Sequence, residues 1–358
     1  MAEYANATFE PRRGPVRLWP WAVGGAVLAL GALALAYAVY WYELADEAEA
    51  AVTDWTEARA AEGLDASHGA IAITGFPFRF RITVEDPALA RAQPPQWSWR
   101  TERLSASARP WSPRRVHLEA PGPHDITFSD RGVPRVLAVA TRESSAEIGL
   151  TKAGTVGRFE ITAHGLRIVS DALLGAIGVS RLDLSFEGAG GEETKRLSVH
   201  ARELALPLAG LTAVAPNIAR LGGEALISGP FPAGPFEAVV AAWRDGGGTI
   251  DISALRLEWG PLRVEADGTL ALDEALRPIG AFTARVLGLR ETITALTEAE
   301  VLTPQRAAFV RITTSILSEE TEGGRLEFPL TAQFGRLFVG PFAVLDIPPL
   351  VLPAILSQ

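Results

Sequence analysis

Cysteine is absent from all 358 residues. Disulfide staples, Cys-ligated zinc and thiol nucleophiles are excluded together, although the redox compartment stays open. Positive charge is in the minority, with 33 Lys and Arg against 42 Asp and Glu and a formal net charge of −9. No basic stretch stands out, so nucleic acid is excluded as a partner, because phosphate affinity needs one. The five histidines, His68, His117, His124, His164 and His200, have no metal-ligand spacing. An HExxH pair, a nucleophile elbow and a phosphate loop are all missing. The sequence therefore nominates no catalytic, metal or cofactor-binding residue, and no cofactor.

What it does hold is one long uncharged run, Leu18 to Tyr42, bounded by Arg17 and Glu43. At about 1.5 Å per helical residue it exceeds the roughly 30 Å hydrocarbon core of a bilayer. Trp19 and Trp21 at one end, with Tyr40, Trp41 and Tyr42 at the other, form interfacial aromatic belts. Arg12, Arg13 and Arg17 precede the run, whereas acids dominate the stretch after it. Lys and Arg set orientation, so the arm 1–17 is expected in the cytoplasm and the bulk of the chain on the outer side. Small-x-small sites at 34–36 and 36–38 fall inside a run too long for a signal peptide, so an uncleaved anchor is expected. A buried soluble helix fits poorly, because this one is apolar all round.

Residues 43–62 continue as a helical stalk. Leu44, Ala48, Ala51, Trp55 and Ala58 recur at helical spacing, and Gly63 stops the series. The remainder, taken as an N-terminal part 63–210 and a C-terminal part 211–358, changes to period two. Phe76, Phe78, Phe80, Ile82 and Val84 alternate with polar residues, and Pro77 means that the strand starts after it or lies at an edge. Alternating segments then recur about every ten residues, the rhythm of an antiparallel meander. Helices are predicted over 170–177, 211–221, 235–243, 289–299 and 303–317. The proline-rich end, 344–356, is too broken for a second span and reads as a tail packed on the sheet.

Two groups of side chains invite a functional reading. The aromatics Phe76, Phe78, Phe80, Trp97 and Trp99 are either core or the lining of an apolar groove for acyl chains. His124 with Asp125 is the polar cluster that departs most from ordinary strand faces. The other acids read as solvated outer faces, since a catalytic carboxylate pair is recognisable only in three dimensions.

GFPFRFRI (75–82), WSPRRV (111–116) followed by PGPH (121–124), WRDGGG (243–248) and LRLEWGPLRVEADGTLALD (255–273) resemble the blocks of the bacterial domain of unknown function (DUF) 2125 family. The resemblance spans roughly residues 41 to 348. It implies an alphaproteobacterial, Gram-negative envelope, and hence an inner-membrane anchor with a periplasmic body; it carries no activity and no catalytic residue. Strand after strand behind one N-terminal anchor is also similar in architecture to AsmA-like envelope proteins, which are associated with lipid handling. The expected fold is α+β and β-dominated: a transmembrane helix, then an elongated antiparallel meander with a few covering helices. The expected role is binding of membrane lipid or another apolar ligand, or scaffolding of an envelope complex. The rival is a periplasmic hydrolase or carbohydrate-active enzyme using an Asp/Glu pair.

Overall fold

The apolar run and the acidic stalk form one unbroken helix, α1 (Trp19–Ala61), which Gly63 ends in a left-handed conformation with φ 79°. The computed structural model describes residues 19–349 apart from 62, 94–95, 131–132, 153–155, 172–174, 189–192, 208–209, 233–235, 318 and 322–324. The arm 1–17 with Arg17, the tail 350–358, and the side chains of Trp19 and Trp21 lie outside the described residues. Among the described residues no helix is long and apolar enough to cross a membrane. The described side chains of α1 begin at Leu28, so the first part of the Leu18–Tyr42 run falls outside them.

Ten short strands follow: β1 (Leu64–Ser67), β2 (Ile71–Thr74), β3 (Phe80–Glu85), β4 (Ala88–Arg91), β5 (Trp97–Thr101), β6 (Arg103–Arg109), β7 (Ser112–Glu119), β8 (Gly122–Asp130), β9 (Val133–Thr141) and β10 (Glu143–Leu150). Longer ones come next: β11 (Val156–Ser170), β12 (Ile177–Gly188), β13 (Thr194–Ala205), β14 (Ile218–Ser228), β15 (Thr249–Trp259), β16 (Leu262–Leu272) and β17 (Pro278–Leu287). The last are β18 (Glu319–Thr321), β19 (Arg325–Gln333), β20 (Arg336–Val339) and β21 (Phe342–Asp346). Helix α2 (Phe236–Asp245) precedes β15, while α3 (Leu289–Glu298) and α4 (Pro304–Leu317) lie between β17 and β18.

All these strands pair antiparallel in one 21-stranded sheet. From β11 to β17 each pairs with the next, the expected meander, and the sheet continues through β19, β20 and β21. The N-terminal half departs from that expectation, because two interleaved branches converge on β11. One runs β1–β4–β5–β8–β9 and meets residues 167–170 of β11. The other runs β2–β3–β6–β7–β10 and meets residues 156–164. β11 is long enough to carry both.

Register gives this sheet one apolar face. Ile73, Ile82, Ala106, Leu118, Ala146 and Ile161 are successive cross-strand partners. The same row continues through Leu184, Val199, Gly223, Leu255, Ala266, Ala284 and Phe328. At about 4.8 Å per strand this is an apolar row about 60 Å long. One residue along, the row flips to Thr162, Asp183, His200, Gly222, Arg256, Glu265, Arg285 and Glu327. That face carries ion pairs such as Arg181–Asp183 at 2.6 Å and Arg285–Asp267 at 2.7 Å. Period two thus separates an apolar side from a solvated one along the whole sheet.

The helices cover the apolar face at its two ends. α1 packs on β1 and β2; α3 and α4 pack on β16 and β19. Under α3 lies the core of Ala266, Ala284, Val286, Phe328 and Val339, ringed by Leu262, Val264, Leu289, Leu326 and Leu330. Gly288, at φ 75°, turns the chain into α3 where any Cβ would run into the Pro261 carbonyl. Between the ends, Ile161 (37%) and Leu255 (41%) stay exposed.

One predicted helix is not formed. Residues 211–221 make only a 3₁₀ turn, Leu211–Ala213, before β14 begins at Ile218. Pro216 removes a helical donor, and pairing with β13 and β15 recruits the residues beyond it. Of the helix expected over 170–177, Ser170 belongs to β11 and Ile177 to β12, while 172–174 lie outside the described residues. The helices expected over 235–243, 289–299 and 303–317 are present as α2, α3 and α4, to within their end residues.

Candidate functional site

The joint between α1 and the sheet is aromatic. Trp41 and Ala45 are buried with Phe80, with Leu44, Ile73 and Ile82 packed around them. The Trp41 ring meets Phe80 edge-on at 5.8 Å and Phe76 at 5.6 Å. Its indole N–H donates to the Arg79 carbonyl at 3.4 Å, and the Tyr37 hydroxyl donates to the Pro77 carbonyl. The helical spacing of Tyr37, Trp41 and Leu44 therefore aligns one stripe with the turn that precedes β3.

Further along the same helix, α1 roofs a cavity of about 450 Å³. Val52 and Trp55 form the roof; Ile82 and Val84 of β3, with Leu104 and Ala106 of β6, form the floor. Ala66, Ala88, Leu89 and Trp99, from β1, β4 and β5, close the side. Only Thr56, Ser67 and His68 bring polar side chains, and the imidazole Nδ1 of His68 sits 2.9 Å from the Gly69 carbonyl. The volume falls within the roughly 300–1,000 Å³ of small-ligand sites, and the lining matches their mainly apolar character. The site arises where the two branches of the sheet and the stalk come together. Its floor residues Ile82 and Ala106 also belong to the long apolar row.

The five aromatic residues nominated from the sequence end in different places. Trp99 lines the cavity, with its ring stacked 6.2 Å from His124. Phe80 is buried under Trp41, whereas Phe76 rests on Trp41 and Tyr42 and stays half-exposed. Phe78 is exposed in the turn before β3, which starts at Phe80 and not at Phe76. Trp97, on the Trp99 face, is buried outside the cavity, and its indole N–H has no partner among the described residues. Of the nominated interface residues, Trp41 is buried in the joint while Tyr40 and Tyr42 are exposed.

Apart from Trp99, the lining residues are not nominated as a site by the sequence, Leu89, Leu104 and Ala106 among them. Period two puts Leu104 and Ala106 on one strand face, but nothing local says that β3 lies beside β6.

Several polar residues are engaged within the sheet. The His124 imidazole Nε2 sits 3.0 Å from the Ala120 carbonyl, and Asp125 pairs with Arg100 at 3.1 Å. Asp183 is held below the ordinary carboxylate range chiefly by hydrogen bonding from Arg181, and Asp245 by Arg244. Backbone donation from Arg277 does the same for Asp273. A general acid needs the opposite displacement. Among the described residues no group of three or more His, Asp and Glu could hold a metal ion.

Residues 41–348 match the family described as an uncharacterized protein conserved in bacteria (DUF2125). No curated protein and no solved structure matches. The matched segment begins at Trp41, the residue that docks α1, and takes in the stalk, the cavity and all 21 strands. The chain is a member of the DUF2125 family.

Proposed function

We propose that this protein is a single-pass envelope protein that holds the acyl chains of membrane lipid against its apolar sheet face. One observation carries the reading: a nearly wholly apolar cavity lies under the same helix whose N-terminal part carries the uncharged run. Leu28, Leu30, Leu33 and Leu35 of α1 are all more than 60% exposed, without protein partners to cover them. Clustered leucines of this kind suit a hydrocarbon surround. In this reading α1 delivers the cavity to the outer surface of the inner membrane, with Arg12, Arg13 and Arg17 on the cytoplasmic side. A lipid chain in this reading lies between Val52 and Trp55 above and the apolar row at Ile82 and Ala106 below.

Purification of the full chain in mild detergent, followed by mass spectrometry of co-purified lipid, tests this directly. Retained phospholipid is expected above the level of an anchor-only control. Ala106→Phe, which fills the floor of the cavity, should lower retention while leaving the strand content in circular dichroism unchanged. No retention above the control sinks the lipid reading.

A further inference from the structure

On the opposite side of the β3–β6–β7 branch from the cavity lies a second cleft of about 450 Å³, lined by Arg79, Ser107, Arg109, Ser112, Arg115 and His117, with Glu119 and Glu147 at its far end. Its carboxylates are already engaged. Glu119 pairs with Arg81 at 3.6 Å and approaches His117 at 3.4 Å, and Glu147 pairs with Arg115 at 3.4 Å. The guanidinium groups of Arg79 and Arg109 have no carboxylate within 4.0 Å among the described residues. In a chain with a net charge of −9 this is a local excess of cation, assembled from residues dispersed in sequence.

Position says what it faces. Phe80 pairs with Ala108 and Arg109 with Ser112, so the turn before β3 and the β6–β7 turn leave the sheet at the same end. Phe78 in the first turn is 72% exposed and Trp111 in the second 63%. The bond from Trp41 to the Arg79 carbonyl sets this end level with the aromatic residues that close the uncharged run of α1. With α1 read as the anchor, these exposed rings and the unpaired guanidiniums of the same two turns come to the depth of the bilayer interface. Rings of this kind settle at headgroup level, and a guanidinium fork matches phosphate oxygens.

We propose that the Arg79–Arg109–Arg115 cleft binds the phosphate of an anionic phospholipid headgroup, with Phe78 and Trp111 seated in the membrane interface beside it. The occupant is lipid and not a soluble anion, because Phe78 and Trp111, exposed in the two turns that carry Arg79 and lead from Arg109, would stay in water around a soluble anion. The site rests on the reading of α1 as an anchor. It deepens that reading by fixing how the body lies on the membrane and which headgroups it favours.

The absence of cysteine makes the test clean. The full chain carrying Phe78→Cys or Trp111→Cys, labelled with a polarity-sensitive fluorophore, is reconstituted into vesicles of phosphatidylcholine alone or mixed with phosphatidylglycerol. Phe334→Cys, in the exposed β19–β20 turn near the other end of the sheet, reports water. Labels at 78 and 111 should shift to the blue in the mixed vesicles and less in phosphatidylcholine. Arg79→Gln and Arg109→Gln should each raise the phosphatidylglycerol fraction needed for half the shift about fivefold, as one juxtamembrane cation is worth at an anionic surface. Water-like labels on protein that floats with both vesicles overturn the proposal alone. Failure to float with either overturns the anchor reading and the proposal with it. Equal shifts in both lipids, insensitive to the arginine variants, overturn headgroup recognition. Reversal by millimolar inorganic phosphate at constant ionic strength assigns the cleft to a free anion and overturns the lipid assignment.

Discussion

Replacing Trp41 by alanine separates α1 from the sheet if the joint is as described. Trp41 is 4% exposed and touches Phe76 and Phe80 edge-on. A buried indole removes about 150–250 Å² from solvent. At about 25 cal/mol per Å² that is about 4–6 kcal/mol, an upper bound because the unfolded chain already hides part of this area. Measured Trp-to-Ala losses of about 3–5 kcal/mol agree. The bond to the Arg79 carbonyl, at 3.4 Å, is too long to add much. Phe76 and Tyr42 can relax into part of the space, so a loss of about 3–4 kcal/mol is expected at the joint. The loss is local, because among the described residues α1 packs chiefly on β1 and β2 and not on the long strands from β11 onward. Hydrogen exchange reads it best: amides of β2 and β3 should exchange roughly a hundredfold to a thousandfold faster, with those of β12 and β13 unchanged. Trp41→Phe should lose far less. In a double-mutant cycle with Phe80→Ala, the two losses should fall short of additivity by about 0.5–1.5 kcal/mol. Additive losses under about 1 kcal/mol, or exchange accelerated equally throughout the sheet, refute the docking argument.

Other expectations concern the far core, the charged face and topology. Ala284→Leu inserts bulk beside Phe328 and Val286 at a site 2% exposed, and overpacking should cost about 1–3 kcal/mol, seen as a lower Tm. Asp183 has a folded pKa below its ordinary 3.8 because Arg181 donates to its carboxylate. Its contribution is therefore present above the unfolded pKa and is lost as pH falls through the folded value. Asp183→Asn should flatten stability against pH below about pH 4, by under about 1 kcal/mol and less in high salt, in urea titrations at several pH values. A periplasm-active reporter fused after Gln358 should be active in cells; an inactive fusion with a correctly inserted control reverses the proposed orientation.

Most single elements were legible because their causes are local. Turn residues and period two located β8 to β13 and β15 to β17, and helical spacing with Gly63 located the stalk. The helix expected over 211–221 shows the limit. Its apolar spacing is real, but Pro216 weakens it and a strand between β13 and β15 gains two ladders. The same limit applies to Phe76 and Phe78, which have strand-like alternation and yet lie in the turn beside α1. Pairing with β6 begins only at Phe80.

By itself, the sequence determined which side chains share a face, that one long uncharged run leads into the acidic stalk, and that no cysteine is available. Those follow from residue type and spacing alone. The tertiary structure decided which strands are neighbours, and with that both clefts. β3 pairs with β6 and not with β4, and β11 receives two branches, so Ile82 and Ala106 come to floor a cavity beneath Val52 and Trp55. The same pairing sets Arg79 beside Arg109 and Arg115 on the other side of the branch. Neighbour choice depends on packing between segments far apart in the chain, and no local pattern encodes it.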